Sequence, residues 1–256
     1  PPRRSSDLGF KPSPGLIPTG GLRPMAPTLD TVGVLARSVA DTRLMAEALS
    51  GQRLAAPVPK RRLRIALSPD LADAPVDAAV SHAIAGFLDR PEVEIVILPF
   101  PEARALREAG LSILLHEFAA GHSAAIKARP DLVGDAVHGF LDLGLAVSAG
   151  DYAQALALRA HLMRQMETRM AGIDALAIPT CPGTAPRLED ETTLVNGERT
   201  SWGLAGGHFR RWANVLGMAA LAMPLPLADD LPASVTLGVL PGQDARLFAI
   251  AQRLTE

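Results

Sequence analysis

The sequence has 256 residues, of which 48% are hydrophobic, and its formal net charge at pH 7 is −2. This near-neutral balance excludes the strongly basic surface that is typical of nucleic-acid binding, and the apolar content supplies a large core. No apolar run reaches the roughly 18–20 residues that span a bilayer, and the single cysteine excludes a disulfide framework. We therefore expect a cytoplasmic protein whose partners include neither a nucleic acid nor a membrane.

The N-terminal part of the chain begins with an irregular segment and continues with a helix. Seven prolines and four glycines among residues 1–30 predict a loop. Ser38 and Asp41 then form an S-x-x-D start that resembles a capping box, and Gly51 is suited to end the helix. The apolar residues of this helix are predicted to share one face, and they are Val39, Leu44, Met45, Ala48 and Leu49.

A strand–helix–strand unit follows. Residues 63–67 and 93–98 are short runs of strand-forming apolar residues, and residues 76–89 have helical apolar spacing. Such a unit builds a parallel pair of strands, and the continuing alternation predicts an α/β fold with a mixed β-sheet flanked by helices. The further predicted helices are 105–128, 151–170 with Asp151 as N-cap, 209–217 and 243–254; the further strands are 174–180, 219–225 and 233–240; and a long loop covers 181–207.

Motifs that would mark an active site are missing from the sequence. It has no G-x-S-x-G elbow, no S-x-x-K pair, no glycine-rich phosphate loop and no histidine spacing of a metal site. Ser123 and Lys127 lie four residues apart on a helix, where they can touch, although a solvated helix face is the simpler interpretation. Cys181 follows a strand end, where α/β sites usually lie, and would need a base such as His208 to act as a nucleophile.

Residues 9–51 carry the strongest signal. Their sequence, GFKPSPGLIPTGGLRPMAPTLDTVGVLARSVADTRLMAEALSG, resembles the segment that follows the nucleophile in amidase signature enzymes. That family reads G-[LF]-K-P-[ST]-x-G-x-[VI]-[SP]-x-x-G and then P-[ML]-A-x-[ST]-L-D-T-[VI]-G-P-[ML]-A-R-[ST]-V-x-D. The matching residues are Gly9, Phe10, Lys11, Pro12, Ser13, Gly15, Ile17, Pro18, Gly21, Pro24, Ala26, Thr28, Leu29, Asp30, Thr31, Gly33, Ala36, Arg37, Ser38, Val39 and Asp41.

The resemblance continues over nearly the whole chain. DALAIPTCPGTAP resembles the family's D-x-L-x-x-P-T-x-P-x-x-A-P, and WANVLGMAALAMPL resembles its N-x-x-G-x-P-A-x-x-x-P element. Residues 1–256 are therefore identified as the C-terminal portion of an amidase signature domain, with a partial amidase signature fold. The family hydrolyses amides with a Ser–cis-Ser–Lys triad, so the resemblance implies hydrolysis of carbon–nitrogen bonds without a cofactor or metal.

The triad motifs of that family do not occur in this sequence. The cis-Ser motif G-G-S-S-G-G, the nucleophile motif G-S-D-x-G-G-S-[IV]-R and the early V-K-D-type element are all missing. Lys11 matches the K-P-[ST] position and does not stand in for the triad lysine. We therefore assign no catalytic residue and expect an incomplete piece, truncated or frame-disrupted just after the nucleophile, that is inactive alone.

Position in the resemblance suggests four residues for a substrate pocket, and these are Cys181, Trp202, Phe209 and Asn214. Asn214 has an alternative role, which is to hold backbone groups inside the core. The resemblance implies a small-molecule amide as substrate of the complete enzyme. We also expect an N-terminal amidase fragment as partner, or self-association through apolar surface that the missing part would cover.

Two other interpretations stay open. In the first, the chain is an amidase-derived, non-catalytic protein that binds a ligand or partner. In the second, it is a separate enzyme that uses Cys181 or Ser123. An adapted binding protein would cover its own core, whereas an incomplete hydrolase would leave apolar surface open. A separate enzyme would turn over an amide without any further chain.

Overall fold

Strands and helices alternate along most of the chain in this computed structural model. The structure describes residues 8–72, 74–187, 189–190, 192–227 and 231–255, and of residues 202–206 and 208 it describes the backbone only. The strands are β1 (Leu8–Lys11), β2 (Val34–Ala36), β3 (Leu63–Leu67), β4 (Val93–Ile97), β5 (Ala175–Pro179), β6 (Thr192–Val195), β7 (Glu198–Ser201), β8 (Ala219–Leu225) and β9 (Ala233–Val239). The helices are α1 (Val39–Ser50), α2 (Ala78–Leu88), α3 (Ala103–Ala128), α4 (Asp135–Ala146), α5 (Ala149–Arg169), α6 (Trp202–Val215) and α7 (Asp244–Thr255), and a short 3₁₀ turn covers Pro130–Leu132.

Seven of the described strands form one mixed sheet in the order β2-β1-β8-β9-β5-β3-β4. Strand β3 pairs in parallel with both β4 and β5, which confirms the predicted strand–helix–strand unit. The remaining pairs of this sheet are antiparallel. The predicted α/β class, a mixed sheet flanked by helices, is therefore confirmed.

Apolar layers pack against both faces of the central strands of the sheet. On one face, α3, α5 and α6 pack over sheet residues such as Ala66, Leu176 and Ala220. On the other face, α1, α2 and α7 pack over residues such as Ile65 and Leu237. Strand β5 lies between β9 and β3 and is buried on both sides, as its continuous apolar sequence predicts. Among the described residues, no helix combines the length and apolar character that crossing a bilayer requires.

The first helix begins and ends as predicted but buries a different face. Ser38 Oγ accepts a hydrogen bond from the Asp41 amide at 3.0 Å, and Gly51 ends the helix in the left-handed conformation. The buried residues, however, are Val39, Thr42 and Ala46. The large apolar residues at the predicted core face point to solvent instead, and they are Leu44, Met45 and Leu49.

The structure differs from the sequence-based predictions at three further places. Strand β1 lies inside the segment predicted to be irregular, because it pairs with both β2 and β8. Helix α4 was not predicted. Ser148, rather than Asp151, caps α5, since its hydroxyl accepts from the Asp151 amide at 3.1 Å.

The predicted long loop over 181–207 is wrong in its second half. It contains the β6–β7 hairpin, which turns at Asn196 and Gly197, both with positive φ. Asn196 also fixes the hairpin against the first turn of α2, because its Oδ1 accepts from the Ala78 amide at 2.9 Å. Helix α6 then begins at Trp202, earlier than the predicted start at residue 209.

Candidate functional site

A cleft of about 230 Å³ lies between α6 and the sheet strands β1, β8 and β9. Small residues of the sheet, Gly9, Ala220 and Ala222, line one side of it, and the helix contributes Phe209 and Trp212 to the other. Because small residues on a sheet face leave space under a helix, this part of the interior stays open. The cleft is mainly apolar with a few polar groups, as ligand sites usually are.

The cleft brings together two of the four residues predicted for a substrate pocket. Phe209 is fully buried in its helical wall, and Asn214 lines it one turn further along α6. Cys181 is half-buried and directly follows Thr180, which lines the cleft. Trp202 begins α6, but its side chain lies outside the described part of the chain.

Polar groups occupy two places along the cleft. The hydroxyls of Thr180 and Thr236 are 2.8 Å apart and form a hydrogen bond between the end of β5 and the middle of β9. Elsewhere along the wall, Asn214 Nδ2 donates to the backbone oxygen of Leu29 at 2.9 Å. Asn214 therefore holds the segment that precedes β2 against α6, as in the alternative role suggested by the sequence.

The same segment is held from its other side by a buried carboxylate. Glu117 of α3 accepts hydrogen bonds from the Thr28 amide at 2.9 Å and from the Thr28 hydroxyl at 2.6 Å. It also accepts from the Tyr152 hydroxyl at 2.8 Å. Burial is the main reason that the pKa of Tyr152 is raised, and its bond to Glu117 adds to the shift. The segment that contains Thr28 and Leu29 is thus held between α3 and α6.

Lys11 is a charged residue of the cleft that was not among the four predicted pocket residues. It lies at the end of β1, and its Nζ donates to the Pro12 carbonyl at 2.7 Å. Burial lowers its pKa to about 8; the Asp244 charge opposes this shift and the Arg159 charge adds to it. The alternation along β1 buries Leu8 and Phe10 on the α7 side. Recognition of β1 would therefore have placed Lys11 on the cleft side.

The amidase family model matches residues 6–248. The chain belongs to the amidase family. It is 28% identical to an amidase from Pseudomonas putida, with 90% of this chain and 54% of that protein covered. It is 29% identical to an indoleacetamide hydrolase from Agrobacterium vitis, with 96% of this chain and 58% of that protein covered.

The fold of this amidase-family chain is also that of solved family members. A crystal structure of an amidase superposes with a TM-score of 0.89 at 25% identity. The match covers 98% of this chain and 58% of the solved one. The chain thus spans little more than half the length of the relatives it matches. The family resemblance drawn from residues 9–51 is confirmed.

Cys181 has the environment of a protonated thiol. Burial raises its pKa, and the nearby Arg210 charge lowers it by less. A buried thiol with a raised pKa holds little thiolate at neutral pH, and the thiolate is the nucleophile. The side chain of His208, the base considered from the sequence, lies outside the described part of the chain.

The other candidate nucleophile lies away from the cleft. Ser123 is half-buried and Lys127 is exposed on α3, and within the described part of the chain no hydrogen bond joins their side chains. Nor do the described residues bring three or more His, Cys, Asp or Glu side chains together in a way that could hold a metal ion.

Proposed function

We propose that this amidase-family chain supplies the substrate cleft of a hydrolase that acts on carbon–nitrogen bonds of amides, and that it hydrolyses no amide alone. One observation carries the proposal. The family match covers residues 6–248, yet the described residues of the cleft include no nucleophile bonded to a base.

Acyl transfer to a serine needs a hydroxyl, a base that takes its proton and donors for the oxyanion. In the cleft, the hydroxyls of Thr180 and Thr236 bond to each other, and Lys11 bonds to a backbone carbonyl. None of the three triad motifs occurs anywhere in the 256 residues. On this proposal the chain is an incomplete piece whose catalytic groups come from elsewhere, and its single cysteine makes the cytoplasm the proposed compartment.

We infer that the missing groups come from an N-terminal amidase fragment. The edge strand β2 exposes Leu35, and α1 exposes Leu44 and Met45, with 75%, 64% and 46% of these residues accessible. Exposed apolar residues near an unpaired strand edge favour association with another chain. A small-molecule amide would then bind in the cleft beside α6, between the two parts.

A complementation assay tests the proposal. The purified chain is mixed with the N-terminal half of the Pseudomonas putida amidase, and hydrolysis of a nitroanilide is followed by absorbance. We expect turnover from the mixture and none from either part alone. The matched control is the same N-terminal half with its nucleophilic serine replaced by alanine, which should leave the mixture inactive. A mixture as inactive as this control, despite formation of a complex, would contradict the proposal.

The alternative is a non-catalytic, amidase-derived binding protein, and one observation favours it. Strands β5 and β8 are largely buried on both faces within this chain. The chain therefore covers its own central strands. A monodisperse monomer that melts cooperatively, binds no hydrophobic dye and ignores the N-terminal fragment would support this alternative.

A further inference from the structure

The cleft beside α6 is the substrate site on the proposed function, and its chemistry narrows the class of ligand. We propose that the ligand is a compact apolar molecule that carries a carboxylate, and that Lys11 binds this carboxylate. An amide substrate of this class would therefore carry a carboxylate in addition to the amide.

Lys11 is a cation without an ion pair among the described residues. A lysine ammonium has three N–H donors, and the contact of Nζ with Pro12 O, at 2.7 Å, uses one of them. No carboxylate in the described part of the chain lies within ion-pair distance of Nζ. The Lys11 side chain is half-buried, and this burial lowers its pKa to about 8.

The carboxylate that acts on Lys11 from nearby is committed to other donors. Asp244 accepts hydrogen bonds from the Ser13 amide at 2.8 Å and from the Ser13 hydroxyl at 2.5 Å. Its charge raises the pKa of Lys11 but does not outweigh the effect of burial. Arg159, the other charge that acts on Lys11, is a cation and shifts the pKa downward. A bound anion would therefore supply the partner that the protein itself does not.

The remainder of the lining agrees with an organic anion. Lys11 and Arg210 are the charged residues that line the cleft, and the described lining includes no Asp or Glu. The floor formed by Gly9, Ala220 and Ala222 offers apolar contact without bulk. The volume of the cleft is about 230 Å³. An apolar cavity of about 150 Å³ is enough to hold benzene. A phenyl-sized body with a short acid arm thus fits both the space and the charge.

Phenylacetate and its neutral isostere phenylacetamide are the probes. Each is titrated into the purified full chain at pH 7, where Lys11 is charged, and binding is measured by calorimetry. We expect phenylacetate to bind about tenfold more tightly, as one desolvated charge-assisted hydrogen bond allows. Lys11→Met should abolish this preference, and Lys11→Arg should keep it. Lys127→Met, at an exposed lysine on α3, is the matched control and should change nothing.

A spectroscopic readout protects the test against a variant that fails to fold. The chain has three lysines, Lys11, Lys60 and Lys127. After ¹³C-methylation of the unmutated chain, phenylacetate should raise the pKa of Lys11 and leave those of the other two unchanged. Equal binding of the two probes, no binding of phenylacetate, a preference that survives Lys11→Met, or an unmoved Lys11 signal would each overturn the proposal.

The two proposals fail in different ways. Calorimetry measures ligand binding to the chain alone, whereas the complementation assay measures amide turnover. Phenylacetate binding through Lys11 together with failed complementation would overturn the proposed hydrolase and keep the anion site. Turnover of neutral amides only, without any preference for phenylacetate, would keep the hydrolase and overturn the anion site.

Discussion

Ser13 and Asp244 are joined by two hydrogen bonds, from the serine hydroxyl to Oδ2 at 2.5 Å and from the serine amide to Oδ1 at 2.8 Å. The same hydroxyl accepts a bond from the Gly242 amide at 2.8 Å. These contacts fix the segment after β1 to the first turn of α7. Because Lys11 ends β1, the C-terminal helix helps to position the cleft wall from which the proposed anion contact is made.

Loss of the Ser13 hydroxyl should therefore cost stability. Ser13→Ala removes a donor to a buried carboxylate and leaves Asp244 short of a partner, for which we expect a loss of about 1–3 kcal/mol in the free energy of unfolding. Urea denaturation measures it. Ser81→Ala, at an exposed position on α2, should change the midpoint little. Equal midpoints for the two variants would contradict the role given to this contact.

Asp174 should be the most costly carboxylate to neutralise. Its side chain is fully buried, and it accepts from Arg61 at 2.7 and 2.8 Å, from the Arg64 amide at 2.9 Å and from Arg246. Asp174→Asn should lower the free energy of unfolding by about 2–4 kcal/mol, because it breaks a buried ion pair. Asp142→Asn, on the exposed side of α4, is the matched control and should have little effect.

The contacts of Asp174 also predict how the stability of the folded chain changes at acid pH. Burial would raise the pKa of Asp174, but the bonds from Arg61, Arg64 and Arg246 outweigh burial and hold it below its ordinary value. Its contribution is therefore present above the unfolded pKa of about 3.9 and is lost as the pH falls through the lower folded value. In Asp174→Asn, the free energy of unfolding should therefore fall less steeply as the pH is lowered. An equally steep fall would contradict this assignment.

The lowered pKa of Lys11 predicts how the stability of the folded chain changes at alkaline pH. Its pKa in the folded chain is lowered from 10.5 to about 8, so between these values the unfolded state binds more protons. Stability should therefore rise as the pH increases from about 8 towards 10.5. Thermal melts across this range should show the rise in the unmutated chain and not in Lys11→Met. A rise of equal size in both would exclude Lys11 as its source.

The outward face of α1 predicts association. Leu44 and Met45 are exposed although the sequence places them on the apolar face of the helix. We expect the chain to self-associate or to bind a hydrophobic dye, and the double variant Leu44→Gln, Met45→Gln to reduce either signal without lowering the melting temperature. Size-exclusion chromatography with dye fluorescence measures this. A dye-silent monomer before mutation would favour the non-catalytic alternative.

Local sequence signals predicted much of the fold. The limits of β3 and β8 match their apolar runs, and Gly51 ends α1 as its conformational freedom allows. What the sequence did not reveal depends on distant partners. Strand β1 is four residues long and exists through pairing with β8, more than two hundred positions away. The buried face of α1 is likewise set by what packs against it, since its small residues face the core.

The candidate site was predicted in part for the same reason. Phe209 and Asn214 lie on one helix, so their joint position in the cleft follows from local spacing. Lys11 enters the cleft from β1, and no local pattern connects it with α6. Lys11 lines the cleft because the sheet order places β1 beside β8.

The central claim is that this amidase-family chain carries a substrate cleft without its own catalytic apparatus, and hydrolysis of a nitroanilide by the pure chain tests it most directly. The rate is compared with that of buffer and with that of the Cys181→Ala and Ser123→Ala variants. The account predicts no hydrolysis above the buffer rate, because members of a catalytic triad act as a unit and their loss removes orders of magnitude in rate. Turnover by the pure chain that either variant abolishes would contradict the account.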